Sequence, residues 1–230
     1  MKRSLQSFYP NENHLIENTY IITLPNNETS KKLTQRCIQS CEAVEQPYTL
    51  WEGFDGSSGD IVIPEHLKDK EYLKWIKVNH KFMTPSQIGC CLSHISLWFH
   101  CITIDRPIVI LEHDAIMVNK FDGMYPFYNV ITYLGCRDQK NGNSPIQPTP
   151  VHMQAPDTFV RKMYRAHAYA IDPIVAKSMV SRLLVDGIVT MNDEYIQSNW
   201  FAIVQYGFYA YEEPEQTTIQ TPQYPFEYEN

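Results

Sequence analysis

The chain has 230 residues, 43% hydrophobic and 13% aromatic, which is enough apolar material for a substantial core and excludes an intrinsically disordered protein. Its formal net charge of -7 excludes a broad electrostatic footprint for nucleic acid, while leaving room for a local basic pocket. Met1-Lys2-Arg3 leads into no apolar run, and no later stretch has the uninterrupted apolar length of a membrane span, so no transmembrane segment and a soluble, cytoplasmic protein are expected.

Of the six cysteines, Cys37 and Cys41 lie one helical turn apart, Cys90 and Cys91 are adjacent, and Cys101 and Cys136 stand alone. No pair of C-x-x-C arms is present, so buried, reduced thiols are expected, which fits the same compartment.

In chain order, residues 1–18 read as a loose arm, 19–211 as one domain and 212–230 as an acidic, proline-bearing tail left largely unstructured. Thr19 to Leu24 is β-rich and ends at Pro25, predicting the first strand. Thr29 or Ser30 is placed to cap a helix whose buried face is Leu33, Cys37, Cys41 and Val44. Tyr48 to Trp51 is again extended and runs into a glycine-rich loop, where Asp55-Gly56 reads as a turn pair or as part of a site. Ile61-Val62-Ile63 leads to a predicted charged helix from Glu65 to Val78, with Leu67, Leu73 and Ile76 facing inward.

Thr84-Pro85-Ser86-Gln87 supplies an N-cap, a first-turn proline and a capping-box partner in register, the clearest helix start in the chain. Ile88, Cys91, Leu92, Ile95, Phe99 and Ile102 form its apolar stripe, and Gly89 with Ser93 a small-residue groove open to a backbone or a ligand. His94 beside the groove is either a packed histidine or a functional one.

Ile108 to Leu111 is wholly apolar and mostly β-branched, the pattern of a strand covered on both faces. It stops on Glu112 and Asp114. Ligands in α/β sheets bind beyond strand carboxyl ends, so this acidic pair stands where a site is expected. In an extended chain Glu112 and Asp114 point one way and His113 the other. Two carboxylates sharing one patch call for a cation, and hard oxygen ligands suit Mg²⁺ or Mn²⁺; the alternative is an acidic turn facing water.

Val130 to Leu134 predicts a further strand, and the unpatterned stretch from Cys136 to Asp157 a functional loop. Arg161, Lys162 and Arg165 form a local basic cluster. His167 to Ile171 is a strand, followed by a helix with Asp172 as N-cap, Pro173 at its first position, a stripe of Val175, Met179, Leu183 and Leu184, and Gly187 to end it. Asn192 is expected to open a last helix through Trp200 and Ile203 toward Gly207, with Asp193 and Glu194 in its first turn, where capping alone could account for them. Phe208 to Tyr211 then closes the regular structure.

The blocks Tyr20-Ile-Ile-Thr-Leu24, Phe54-Asp-Gly56, Ile88-Gly-Cys-Cys-Leu-Ser-His94 with Leu97-Trp98, Ile110-Leu-Glu-His-Asp114 and His167-Ala-Tyr-Ala170 together resemble the family 25 glycosyltransferases, which include lipopolysaccharide-chain and collagen galactosyltransferase-type enzymes. The resemblance implies a GT-A-like α/β fold with a mixed, mostly parallel sheet, a UDP-sugar donor, Mn²⁺ (or Mg²⁺) and transfer with inversion to a hydroxyl of a glycan or protein acceptor. The family's acidic motif usually reads Glu-Asp-Asp, whereas the middle residue here is His113. Ser86-Gln87 stand where the family usually has Gly-Glu.

Departing UDP develops negative charge that a dication offsets as a Lewis acid, and inversion needs a carboxylate base on the opposite face of the sugar. Asp114 is the expected direct metal ligand, with Glu112 supporting the metal or the ribose. By likeness to GT-A enzymes His167 is a candidate further ligand, its alternative being a core strand histidine. Asp193, placed where the family has an Asp after the His-Ala-Tyr block, is the expected base, with Glu194 beside it. Position in the matching blocks makes Leu24, Asp55, Gly56, Ser93 and His94 donor-pocket candidates. Two other readings stay open: a catalytically silent relative that binds nucleotide-sugar, and an enzyme acting on a modified nucleic-acid base.

Overall fold

A computed structural model of the chain describes residues 16, 18–79, 82–121, 129–136, 149–150, 163 and 166–212. The basic cluster at Arg161, Lys162 and Arg165, nearly all of the 136–157 loop, most of the N-terminal arm and the tail beyond Glu212 lie outside them. The described elements run β1 (Asn18–Thr23), α1 (Glu28–Ala43), β2 (Thr49–Glu52), α2 (Pro85–Ile104), β3 (Ile108–Leu111), β4 (Ala115–Met117), β5 (Ile131–Cys136), β6 (Thr149–Pro150), β7 (Ala168–Ile171), α3 (Pro173–Asp186), α4 (Asn192–Tyr195) and β8 (Ile203–Glu212).

All eight strands join one mixed sheet in the order β2-β1-β3-β7-β5-β8-β4, with β6 also on β8. The parallel pairings are β2–β1, β1–β3 and β5–β8, while β7 enters antiparallel between β3 and β5. β3 is the central strand that its composition predicts. Ile108 and Ile110 face the cluster built with α2 and α3, and Val109 and Leu111 the cluster beside α1, all four fully buried. Alternation therefore divides one apolar run between two cores.

Thr84 caps α2 as expected: its hydroxyl accepts from Gln87 N–H, and Gln87 Oε1 accepts from Thr84 N–H at 2.9 Å. The buried surface of α2 is broader than the predicted stripe, because Ser93, His94, Leu97, Trp98 and Cys101 are buried as well. Asp172 caps α3 through Ile174 and Val175 N–H, both at 2.8 Å, and its other oxygen accepts from Asn129 N–H. Val180 takes the place expected for Leu184, which is 38% exposed.

Three expectations are corrected. Asn27, not Thr29 or Ser30, caps α1; Ser30 Oγ instead accepts from Leu24 N–H, fixing the β1–α1 turn. The stretch from Glu65 to Val78 forms two short 3₁₀ turns, Glu65–Leu67 and Glu71–Trp75, because Leu67 stands six residues before Leu73, a gap that leaves no continuous three- and four-residue stripe to give a helix one buried face. The last helix is only Asn192–Tyr195. From Ile203 the chain pairs with β5 and then β4 as a single strand, and this pairing overrides the helical spacing of Trp200 and Ile203. β8 carries regular structure through Glu212, one residue into the predicted tail.

Candidate active site

Beyond the carboxyl ends of β1 and β3 opens a cleft. Leu24, Asp55, Gly56, Ser93, His94, Glu112 and Asp114, all marked from sequence, line it together with Asn27, Ser86, Cys90 and His113. His167, Asp193 and Glu194 are not on its lining.

One wall is the loop after β2 pressed on the start of α2. The Gly89–Ser93 groove admits the backbone of Phe54: a Cβ on Gly89 would lie 2.6 Å from the Phe54 carbonyl oxygen. Ser93 Oγ accepts from Phe54 N–H and donates to Gly89 O, both at 2.8 Å. A Cβ on Gly56 would meet the Pro85 carbonyl carbon and oxygen at 2.2 Å, and one on Gly53 would meet Ser93 Oγ at 2.6 Å. Backbone cannot retreat as a flexible side chain can. Gly56→Ala is therefore expected to cost roughly 3 kcal/mol, lowering the melting temperature by about 6–12 °C in a thermal unfolding scan. An unchanged melting temperature would mean that the loop is not seated on the helix.

The acidic motif occupies a turn rather than an extended segment, with Ala115 N–H donating to Glu112 O at 3.0 Å. The expected strand alternation is thus replaced by turn geometry, and all three side chains border the cleft. His113 is buried, its Nδ1 3.2 Å from Ser30 Oγ, and burial holds its imidazole below the ordinary range, so it is neutral at pH 7. It ties the motif to the first turn of α1. Gln87 is committed to the α2 capping box, a role open to Glu or Gln alike.

His94 is fully buried and bridges two groups: Nε2 lies 2.9 Å from Glu112 Oε1, and Nδ1 lies 2.8 Å from Tyr169 Oη. Trp98 Nε1 donates to the same Tyr169 oxygen at 2.9 Å. Burial pushes the Glu112 carboxyl up, but the hydrogen bond and charge of His94, with His113 and His167 adding, bring it below the usual carboxylate range. Asp114 behaves oppositely. Burial, then the charges of Glu112 and Glu212, push its carboxyl well above that range.

Glu212 was not foreseen. It reaches Asp114 because Ala115 pairs with Glu212 in the β4–β8 ladder. His167 is fully buried, its backbone carbonyl accepting from Glu112 N–H at 2.8 Å and its Nδ1 3.4 Å from Glu212 Oε2 without hydrogen-bond alignment. Its Nε2 lies against Gly135, where a Cβ would sit at 2.3 Å. Asp114 Oδ1 and both His167 ring nitrogens are buried without a hydrogen-bond partner. Such atoms are costly to bury unsatisfied, and two carboxylates with an imidazole are a donor set suited to a divalent cation. Among the described residues, though, the ligand atoms that converge within 4.8 Å of one another are those of Cys90, His94 and Glu112, and Asp114, Glu212 and His167 are not in that group.

Burial, then Glu112, Cys91, Asp193 and Asp114, push the Cys90 thiol well above its usual range, which places Asp193 near the cleft wall that Cys90 lines. Glu194 accepts a hydrogen bond from the Thr190 hydroxyl. A four-residue helix has little macrodipole, so local contacts rather than the dipole fix this pair. Cys37, Cys41, Cys90, Cys91 and Cys101 are free thiols.

A carboxylate-lined cleft at the strand ends of a helix-flanked mixed sheet defines an α/β protein built to hold a polar ligand. The sequence model of "Glycosyltransferase family 25 (LPS biosynthesis protein)" matches residues 16–132, and the chain belongs to that glycosyltransferase family. The helix-flanked mixed sheet is the α/β architecture expected of it, although its antiparallel pairings (β3–β7, β4–β8, β5–β7 and β6–β8) outnumber the parallel ones, where a mostly parallel sheet was expected. Among curated proteins, the chain is 28% identical over 197 residues to a "Procollagen lysyl hydroxylase and glycosyltransferase" of Acanthamoeba polyphaga mimivirus. That alignment covers 79% of this chain but only 21% of the mimivirus protein, so the chain spans about a fifth of that relative. Among solved structures, an active-site mutant of LgtC aligns over 82% of this chain and 72% of its own, with 9% identity and a TM-score of 0.43.

Proposed function

We propose that this glycosyltransferase uses a UDP-sugar and a divalent cation, Mn²⁺ or Mg²⁺, to transfer a hexose with inversion to a hydroxyl of a glycan or protein. The observation that carries the reading is Asp114: a buried carboxyl, between two other carboxylates, bordering the cleft. Asp114, Glu112 and His167, with Glu212, would hold the cation. When bound it offsets the charge that the departing diphosphate develops.

The remaining work falls to the chain's own groups. Leu24, Asp55, Gly56 and Ser93 form the donor wall, and His94 keeps Glu112 ionised and aimed at the cleft. Asp193 takes the proton of the acceptor hydroxyl as that oxygen bonds to the anomeric carbon and the bond to UDP breaks. One displacement inverts the centre. The mimivirus relative joins a lysyl hydroxylase to a glycosyltransferase in its name, which supports a protein-borne hydroxyl as one acceptor class.

Thermal shift against a panel of nucleotide sugars, each with and without Mn²⁺, tests the reading. At a hundredfold excess over Kd, a UDP-sugar should add about 2.7 kcal/mol, or roughly 5–10 °C, with Mn²⁺ present. No shift should occur without metal. Equal shifts in both arms would remove the metal from the account. Calorimetry with UDP and Mn²⁺ beside a UDP-release assay separates enzyme from silent binder, since binding without release identifies the latter.

A further inference from the structure

Cys90 and His94 sit four residues apart on one face of α2, and Glu112 reaches the same point from the end of β3. One ligand atom from each, a thiol sulfur, an imidazole nitrogen and a carboxylate oxygen, lie within 4.8 Å of one another. All three residues line the cleft, so the cluster is walled by protein on one side and open on the other. His94 is oriented for ligation from behind. Its Nδ1 is held at 2.8 Å by Tyr169 Oη, itself fully buried and fixed by Trp98, leaving Nε2 facing Glu112 and Cys90. Metal-bound histidines characteristically have their second nitrogen fixed in this way.

We propose that Cys90 Sγ, His94 Nε2 and Glu112 form a binding site for a thiophilic dication of the Zn²⁺ class, with its fourth position open to the cleft. Three protein ligands of S, N and O type with one open position are a zinc pattern, and a sulfur ligand disfavours Mn²⁺ and Mg²⁺. Glu112, Asp193 and Asp114 set a negative potential at the thiol that a dication relieves. The site's sulfur and imidazole ligands differ from those of the proposed donor centre at Asp114, Glu212 and His167. The two share Glu112, so Zn²⁺ and the donor's metal compete for one carboxylate.

The site rests on its own geometry, and its test uses no nucleotide. Co²⁺ added to the wild-type protein should give a thiolate-to-metal charge-transfer band that saturates at one equivalent and is displaced by Zn²⁺. The band should vanish in Cys90→Ser and persist in Cys91→Ala. Zn²⁺ affinity should fall at least tenfold in Cys90→Ser, since losing a direct ligand costs no less than the roughly 10–100-fold lost with an outer-shell partner. Alkylation mapped by mass spectrometry supplies a readout that needs no variant to fold. Cys90 is half-buried on the cleft wall, whereas Cys37, Cys41, Cys91 and Cys101 are buried, and Zn²⁺ should slow its modification in the wild-type chain while Mn²⁺ should not. A missing band, a band retained in Cys90→Ser, or equal protection by Mn²⁺ would each overturn the site. A negative result here leaves the donor reading standing, and failure of UDP-sugar to bind leaves this site standing.

Discussion

Asp114→Asn is expected to lower transfer by about a thousandfold or more, some 4 kcal/mol of lost transition-state stabilisation, while making the metal-free protein melt higher. The two effects have one cause. Burial and the charges of Glu112 and Glu212 hold the Asp114 carboxyl above its ordinary pKa in the folded chain. Below the unfolded value, near 3.9, the group is protonated in both states and contributes nothing. As pH rises from there toward the folded value, the unfolded chain ionises first and folding loses ground. Metal-free wild type should therefore lose stability with rising pH more steeply than Asp114→Asn, and Mn²⁺ should abolish the difference for wild type alone. Glu112 runs in the opposite direction: its folded pKa is depressed, so its contribution is present above its unfolded value and is lost as pH falls. Keeping Glu112 in both proteins lets the comparison isolate Asp114. Melting curves across pH, with and without Mn²⁺, decide the matter. Parallel curves, or a variant that still gains from metal and UDP, would move the cation elsewhere.

Asp193→Ala should lower the transfer rate by about 10²–10⁴-fold, the usual contribution of a positioned base, and leave the metal-dependent UDP shift in place. Glu194→Gln should cost far less, because that carboxylate is already engaged by the Thr190 hydroxyl in the turn it closes. The measurement is turnover beside UDP binding for both variants. If Glu194→Gln proves the more damaging, the base is Glu194. If Asp193→Ala loses UDP binding as well, the residue shapes the donor pocket and is not the base.

The parts of the fold legible in the sequence were those encoded locally. The Thr84–Gln87 capping box, the aliphatic β3 run and the Asp172-Pro173 start of α3 each carry their signal within a few residues. The wall of the cleft was legible for the same reason, since Phe54-Asp-Gly56 and Gly89…Ser93 are short blocks that meet. What escaped notice depends on pairing across the chain. Glu212 read as the start of an acidic tail because only the β4–β8 register brings it to Asp114. Ile203 onward read as helix because its strand pairing with β5 is invisible to local periodicity. Tyr169 carries no local mark beyond its place in a strand, and its hydroxyl acquires meaning only from His94 and Trp98. Cys90 could have been found, since its four-residue spacing from His94 on a well-marked helix is a ligand spacing.

The glycine interlock between the Phe54 loop and α2 bears on how this enzyme could be retargeted. Main chain touches main chain at Gly56–Pro85 and Gly89–Phe54, so no side chain at those two points can be resized to move the wall. If the cleft holds the donor as proposed, altering the choice of sugar works from the front, through the side chains of Asp55, Ser57 and Ser86 that border it. A small combinatorial library at those three positions would explore new sugars while the scaffold behind them stays as rigid as it is now.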